Sequence, residues 1–470
     1  MKLKVISIIF IAIFFSQISQ SAFSAEAKII SVREAVDIAL KNSHEYKLAE
    51  LKFKEADENV NSVWGQLFPV LESEVSAVRQ HADKGMMSLS DGQFDVKLVQ
   101  VGFGINPGIF YNSLKASRSL YIASKEDIRR IKNEIELNVI KSYFSLILTE
   151  EMIALRKSSV ELLKSNLKDV QNMHSTGTLP KFDLLQAKVQ LNSQIPLLLE
   201  AENNYRAALN YFNYVIGSGE IYKSDISILN NKIEPVSQDG MEQKIDMLIS
   251  AALKNRPEFI QLQKKVEASG HIANMYESYY IWPTFTVGGY YGLTKNDANN
   301  IGIGDKIPPP VGPALGAGMS DIFGYNKWQD IWQVRVAATY RWGSLLGMDS
   351  NSSFAKGSEL AAKQAEEEML KLKRLIAINI DSIYSRLVTS YMTILSQKEN
   401  VDTAIEGLRI ARESFKAGVI KNSDLISSDL AFTTAKTSYI NAVNSYYTAL
   451  AELKNETGLN DDSIIFEKVK

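Results

Sequence analysis

From Trp332 to Trp342 apolar and polar residues alternate. Trp332, Val334, Val336, Ala338, Tyr340 and Trp342 fall on one face, and Gln333, Arg335, Ala337, Thr339 and Arg341 on the other. A period of two predicts a β-strand. Its length suits one membrane-crossing strand of ~9–11 residues. Its aromatic ends resemble the interfacial girdles of outer-membrane barrels. Thr284 to Tyr291 is the expected partner strand, with Phe285, Val287 and Tyr291 on one side. Val70 to Val78 and Phe94 to Phe103 predict a second hairpin, in which Glu72 and Glu74 oppose Leu71 and Val75. The polar sides of these strands, Arg335 and Arg341 included, are expected to face a lumen.

Elsewhere the apolar spacing is helical. Ala35, Ile38, Ala39, Tyr46, Ala49, Phe53, Ala56 and Val60 predict a helix over Val32 to Trp64, and Ile245 to Ile281 predicts its counterpart. Pro69 and Pro283 end these helices, since proline lacks the N–H and clashes with the preceding turn. A long tract begins at Asn106, a capping residue followed by Pro107 at the first helical position, and runs to about His174. At 1.5 Å per residue it would reach ~100 Å. Its apolar residues form two stripes, Ile128, Ile131 and Ile135, then Leu137, Ile140, Phe144 and Ile147, so it must pack on two neighbours. Ile376, Ile380, Ile383, Leu387 and Ile394 approach the coiled-coil repeat in a second long tract. Gly177 and Gly418 break the two tracts. Returning helices are expected over Phe182 to Ile216 and Ser423 to Thr457.

The chain is duplicated. Ala39-Leu40-Lys41-Asn42 recurs as Ala252-Leu253-Lys254-Asn255, offset by 213 (252−39), and Phe68-Pro69 matches Trp282-Pro283, offset by 214 (282−68). Gly177, Asp183 and Gly217 correspond to Gly418, Asp424 and Gly458, each offset by 241 (418−177, 424−183, 458−217). An insertion is therefore expected between Pro283 and Gly418, and the Gly-, Pro- and Asn-rich stretch 295–330 is the visible candidate. The expected division is repeat 1 over 26–235, with a hairpin at 70–104 and a tip near 177–183. Repeat 2 covers 236–470, with a hairpin at 284–343 and a tip near 418–424.

Residues 1–25 read as a secretory signal peptide. Lys2 and Lys4 precede a short apolar run from Val5 to Phe15, and cleavage is expected between about 24 and 27. The run is too short to span a bilayer, which needs ~20 apolar residues. The chain of 470 residues has a net charge of -2 and no cysteine. The charge argues against nucleic-acid binding. The missing cysteines exclude disulfides and thiolate sites. His44, His81, His174 and His271 have no metal-ligand spacing, and Gly302-Ile303-Gly304 opens no phosphate loop. No catalytic motif, cofactor site or metal site is expected.

Four strands cannot close a pore, and an open sheet edge cannot sit in lipid. Several copies must share one barrel, and three would supply twelve strands. The expected class is an α+β membrane protein: a trimeric 12-stranded β-barrel on a long α-helical coiled-coil barrel, built from two repeats. A coiled-coil structural or adhesive outer-membrane protein and a periplasmic enzyme are the alternatives.

The ordered motifs Ser31-Val32-Arg33-Glu34-Ala35, Phe68-Pro69, Trp282-Pro283, Gly177 to Asp183 and Gly418 to Asp424 together resemble the TolC family of outer-membrane efflux proteins. That resemblance implies a homotrimer in outer-membrane lipid with a periplasmic helical tunnel. It implies a periplasmic adaptor (a membrane fusion protein) and an inner-membrane transporter of RND, ABC or MFS type. The function implied is an exit duct for efflux or type I secretion. Asp183 and Asp424 match the family's acidic mouth. Gly177, Thr178, Leu179, Gly418, Val419 and Ile420 match its adaptor-contacting tips. Phe415 and Ile420 stand where some members carry a locking tyrosine and arginine, and Ser427 replaces a second acidic residue. Lys181 and Lys421 are candidate partners for Asp183 and Asp424, and helix capping is the competing role of both aspartates.

Overall fold

The computed structural model describes residues 28–79, 92–219, 221–225, 233, 236, 240–297, 327–343 and 349–459. The expected signal peptide, His81, the centre of the 295–330 insertion and much of the connector between the repeats lie outside them. Compactness divides the chain differently from the duplication. One unit comprises residues 1–51, 125–261 and 369–470, the other 52–124 and 262–368, so each draws on both repeats.

In the helical unit each repeat builds its own core from matched positions. The short parallel strands β1 (Lys28–Ile30) and β4 (Tyr222–Ser224) pair at its edge. Three residues carry no periodicity, so neither strand is legible in the sequence. Helix α1 (Val32–Asn42) starts with a capping box, Ser31 N–H donating to Glu34 and Glu34 N–H to Ser31 Oγ. Ala35 and Ala39 pack on Ile135, Val139, Tyr143 and Leu146 of α3 (Pro107–Ser175) and Phe212 of α4 (Lys181–Ile216). In repeat 2 the equivalent residues are Leu248 and Ala252 of α5 (Met241–Asn255), Ile376, Ile380, Tyr384 and Leu387 of α7 (Ser350–Lys416), and Leu453 of α8 (Asn422–Thr457). The 241-residue offset already holds at Ile135 and Ile376 (376−135), which confines the insertion to the stretch between Pro283 and Ile376.

The expected opening helices are each broken once. Ser43 separates α1 from α2 (His44–Gly65), and its Oγ accepts from Tyr46 N–H at 3.1 Å. Arg256 separates α5 from α6 (Pro257–Ile281) because the residue before proline is driven to extended geometry, here φ -67°, ψ 122°.

The second unit carries one antiparallel sheet ordered β2-β3-β5-β6, from β2 (Val70–Arg79), β3 (Gly92–Ile105), β5 (Thr284–Asp297) and β6 (Gln329–Thr339). Each repeat gives one hairpin, and β3 with β5 joins them. The last strand lies three residues earlier than the alternation predicts, since β5 pairs Thr294 with Gln329. Tyr340, Arg341 and Trp342 therefore follow the strand. Tyr340 and Trp342 meet edge to face at 4.9 Å, and the Arg341 guanidinium lies 5.9 Å over the Tyr279 ring of α6.

Candidate functional site

The sheet has one apolar and one polar face. Residues paired across antiparallel strands point the same way. The registers thus gather Leu71, Val75, Val99, Val101, Phe103, Phe285, Val287, Tyr291, Trp332, Val334 and Val336 on one side. These side chains are largely exposed in the single chain, Val336 by 75%. The opposite face holds Glu72, Glu74, Asp95, Lys97, Gln100, Gln333 and Arg335. There Lys97 donates to Glu74 at 2.7 Å and Thr294 to Asp95 at 2.6 Å, and the Lys97 ammonium sits 5.3 Å over Tyr290. Arg335 lies on this polar face, opposite Gly288. Among the described residues, β2 and β6 each pair on one side only.

The tips of the two helical hairpins share one backbone turn. Gly177 (φ +77°) and Gly418 (φ +73°) take the left-handed conformation that glycine adopts without a Cβ penalty. Gly177 N–H donates to His174 O and Thr178 N–H to Met173 O. Gly418 N–H donates to Phe415 O and Val419 N–H to Ser414 O. This double bonding satisfies the last carbonyls of each long helix and turns the chain back within a few residues.

The six tip residues then divide. Gly177, Thr178, Gly418 and Val419 face solvent, Val419 by 76%. Leu179 and Ile420 turn inward onto a small core of Val170, Ala187, Ala411, Phe415 and Leu425. Phe415 is 3% exposed, so it fills that core rather than presenting a polar lock. Phe182, absent from the sequence-based candidates, is an exposed apolar residue beside the first tip. Being apolar in a helix, it carries no sequence signal that separates it from a core residue.

The two aspartates also separate. The Asp424 carboxylate accepts from Lys421 N–H at 3.1 Å, capping α8. Asp183 has no such bond, because Pro180 at the equivalent position has no N–H to give. Asp183 is partly buried and Asp424 exposed. No ion pair joins Lys181 to Asp183 or Lys421 to Asp424 among the described residues, so that expected pairing is not formed. Ser427 donates to the Ser423 carbonyl at 2.8 Å, a bond within its own helix. Among the described residues no group of three or more His, Asp or Glu side chains could hold a metal ion, and no helix is long and apolar enough to cross a membrane.

Residues 248–459 match the family model described as Outer membrane efflux protein. The chain is 24% identical over 242 residues to the probable outer membrane lipoprotein SilC of Salmonella typhimurium, covering 51% of this chain and 50% of SilC. It is 22% identical over 352 residues to the alkaline protease secretion protein AprF of Pseudomonas aeruginosa, covering 73% of this chain and 65% of AprF. The alignments thus span between half and two thirds of these relatives. Among solved structures, CusC superposes with a TM-score of 0.72 at 14% identity, covering 93% of this chain and 95% of that one. The CmeC outer membrane channel of Campylobacter jejuni gives 0.70 at 16% identity, covering 93% and 87%. The chain shares the fold of these channels, and its second repeat is similar to the outer membrane efflux protein family over residues 248–459.

Proposed function

We propose that this protein is the passive outer-membrane exit duct of a tripartite efflux or type I secretion system, active as a homotrimer. The observation that carries the reading is the sheet: four strands, one face apolar over most of its length, the other charged, and two edges unpaired among the described residues. In lipid an unpaired backbone edge costs several kcal/mol per group, so β6 of one copy would pair with β2 of the next. Three copies would then close a twelve-stranded barrel, apolar outside and lined by Glu72, Glu74, Lys97 and Arg335. The helical hairpins would wall the periplasmic passage. Thr178 and Val419 would be offered to a periplasmic adaptor, which links the duct to an inner-membrane transporter supplying energy and cargo. Asp183 and Asp424, repeated three-fold, would focus negative potential at the mouth.

The test is membrane fractionation followed by planar-bilayer recording of the purified protein. An SDS-resistant, heat-dissociable trimer in the outer membrane with a steady conductance is expected. A monomer in the soluble periplasmic fraction, or a membrane trimer that never conducts, overturns the reading. The non-conducting trimer would favour a structural or adhesive protein. Asp183→Asn with Asp424→Asn is expected to weaken block by multivalent cations. Unchanged block would leave the acidic mouth without a role in conduction.

A further inference from the structure

Two buried polar pairs join the outgoing helix of the first repeat to the returning helix of the second. Ser159 Oγ donates to Asp429 Oδ2 at 2.7 Å, and Asn166 Nδ2 donates to Asn422 Oδ1 at 2.7 Å. All four residues are at most 5% exposed. Ser159 and Asn166 are one heptad apart on α3, Asn422 and Asp429 one heptad apart on α8, in opposite order as antiparallel helices require. Val160, Leu163, Val170 and Leu425 are buried along the same stretch of these helices. Polar residues at heptad spacing in an apolar seam fix the register of two helices at a cost in stability.

The seam is only partly satisfied. Asn166 Oδ1 and Asn422 Nδ2 have no hydrogen-bond partner among the described residues. Such orphaned groups offset much of what the made bonds contribute. The pairs therefore choose one alignment without clamping it. Asp429 is the most expensive member when ionised. Burial holds its carboxyl above the ordinary aspartate range, opposed by the Ser159 hydroxyl and by Arg412 of α7 and Arg156 of α3. A carboxyl whose packed-state pKa exceeds its solvated one favours packing when protonated. The seam is thus tightest at low pH and loosens as pH rises through that raised value.

We propose that Ser159–Asp429 and Asn166–Asn422 form a register latch between the two helical hairpins, holding the tip segment packed and tightening when Asp429 loses its charge. The latch as a gate rests on the reading of these hairpins as the wall of a duct.

The experiment is hydrogen exchange of the purified full chain between pH 5.5 and 8, corrected for intrinsic rates, over peptides spanning 155–175 and 418–435. In the wild type, exchange is expected to quicken with rising pH. Asp429→Asn keeps an acceptor for Ser159 and should abolish that dependence, leaving exchange slow throughout. Ser159→Ala strands a buried carboxylate and should speed exchange about tenfold at pH 8, and less at pH 5.5. An Asp429→Asn profile that still follows the wild type overturns the latch, whether or not Ser159→Ala folds. So does unchanged exchange in a folded Ser159→Ala. Bilayer recordings in parallel should show wild-type open probability falling with acid, and Asp429→Asn insensitive. A protein that never conducts sinks the duct, while the exchange profiles still decide the latch.

Discussion

The two repeats close their helical hairpins with the same backbone and secure them with different side chains. In repeat 1 the junction after the opening helix is tied by Asn42 Nδ2 donating to the Ile216 carbonyl at 3.3 Å, a single neutral bond. In repeat 2 the equivalent stretch presents Arg256, which pairs with Glu456, both largely buried, and with Glu258. At the tips the glycine turns are alike, but Asp424 caps its helix and Asp183 does not. The conserved part is what the backbone demands: a left-handed residue and satisfied carbonyls. The divergent part is how each copy met a local need after duplication. Repeat 2 carries the charged ties, and repeat 1 leaves an aspartate uncommitted near its tip.

The largest expected effect sharpens the first contrast. Arg256→Met leaves the Glu456 carboxylate without its main partner, at a cost of about 3 kcal/mol. Asn42→Ala in repeat 1 should cost about 1 kcal/mol, the worth of one ordinary hydrogen bond. Denaturant unfolding in detergent at pH 7.5 measures both, and equal losses would erase the asymmetry. The Arg256→Met loss should shrink in acid. Burial already raises the Glu456 carboxyl, and without Arg256 it rises further. The folded variant therefore binds the proton more tightly than the unfolded chain, and its stability falls as pH climbs through that window.

Next comes Tyr143, whose hydroxyl donates to Ile30 O at 2.9 Å and accepts from Asp225 N–H at 2.8 Å. Tyr143→Phe should cost about 2 kcal/mol by leaving two backbone groups unpaired. Exchange of the Lys28–Ile30 and Tyr222–Ser224 amides should rise with it. The smallest effect separates the aspartates: Asp424→Ala should cost about 0.5–1 kcal/mol of capping energy, and Asp183→Ala about 0.3 kcal/mol of helix-dipole energy. Identical melting shifts would show that Asp183 is held by something other than capping.

Much of this architecture was legible in advance because its signals are repeated. Alternation gave four strands, prolines and glycines marked the helix ends, and paired motifs gave the duplication. Some misplaced features were decided by partners distant in the chain, and others by a short local bond that apolar periodicity does not register. The Trp332 strand slid by three residues because β5 extends to Asp297 and draws Gln329 into pairing. Ser43 broke a helix that periodicity alone would have continued, by capping its own next turn. Leu179 and Ile420, named among the tip residues, pack partly buried against a small core that draws on both hairpins.

Composition and periodicity determined the strand and helix content, the two copies and the glycine turns, since each follows from residues within a few positions of one another. Only the tertiary structure decided that β6 begins at Gln329 and leaves Arg341 beyond the strand, that Leu179 and Ile420 pack on a small core, and that Asp429 is buried against Ser159, 270 positions away. Hydrogen bonds and burial depend on what the fold brings alongside, and no local pattern encodes a neighbour that far along the chain.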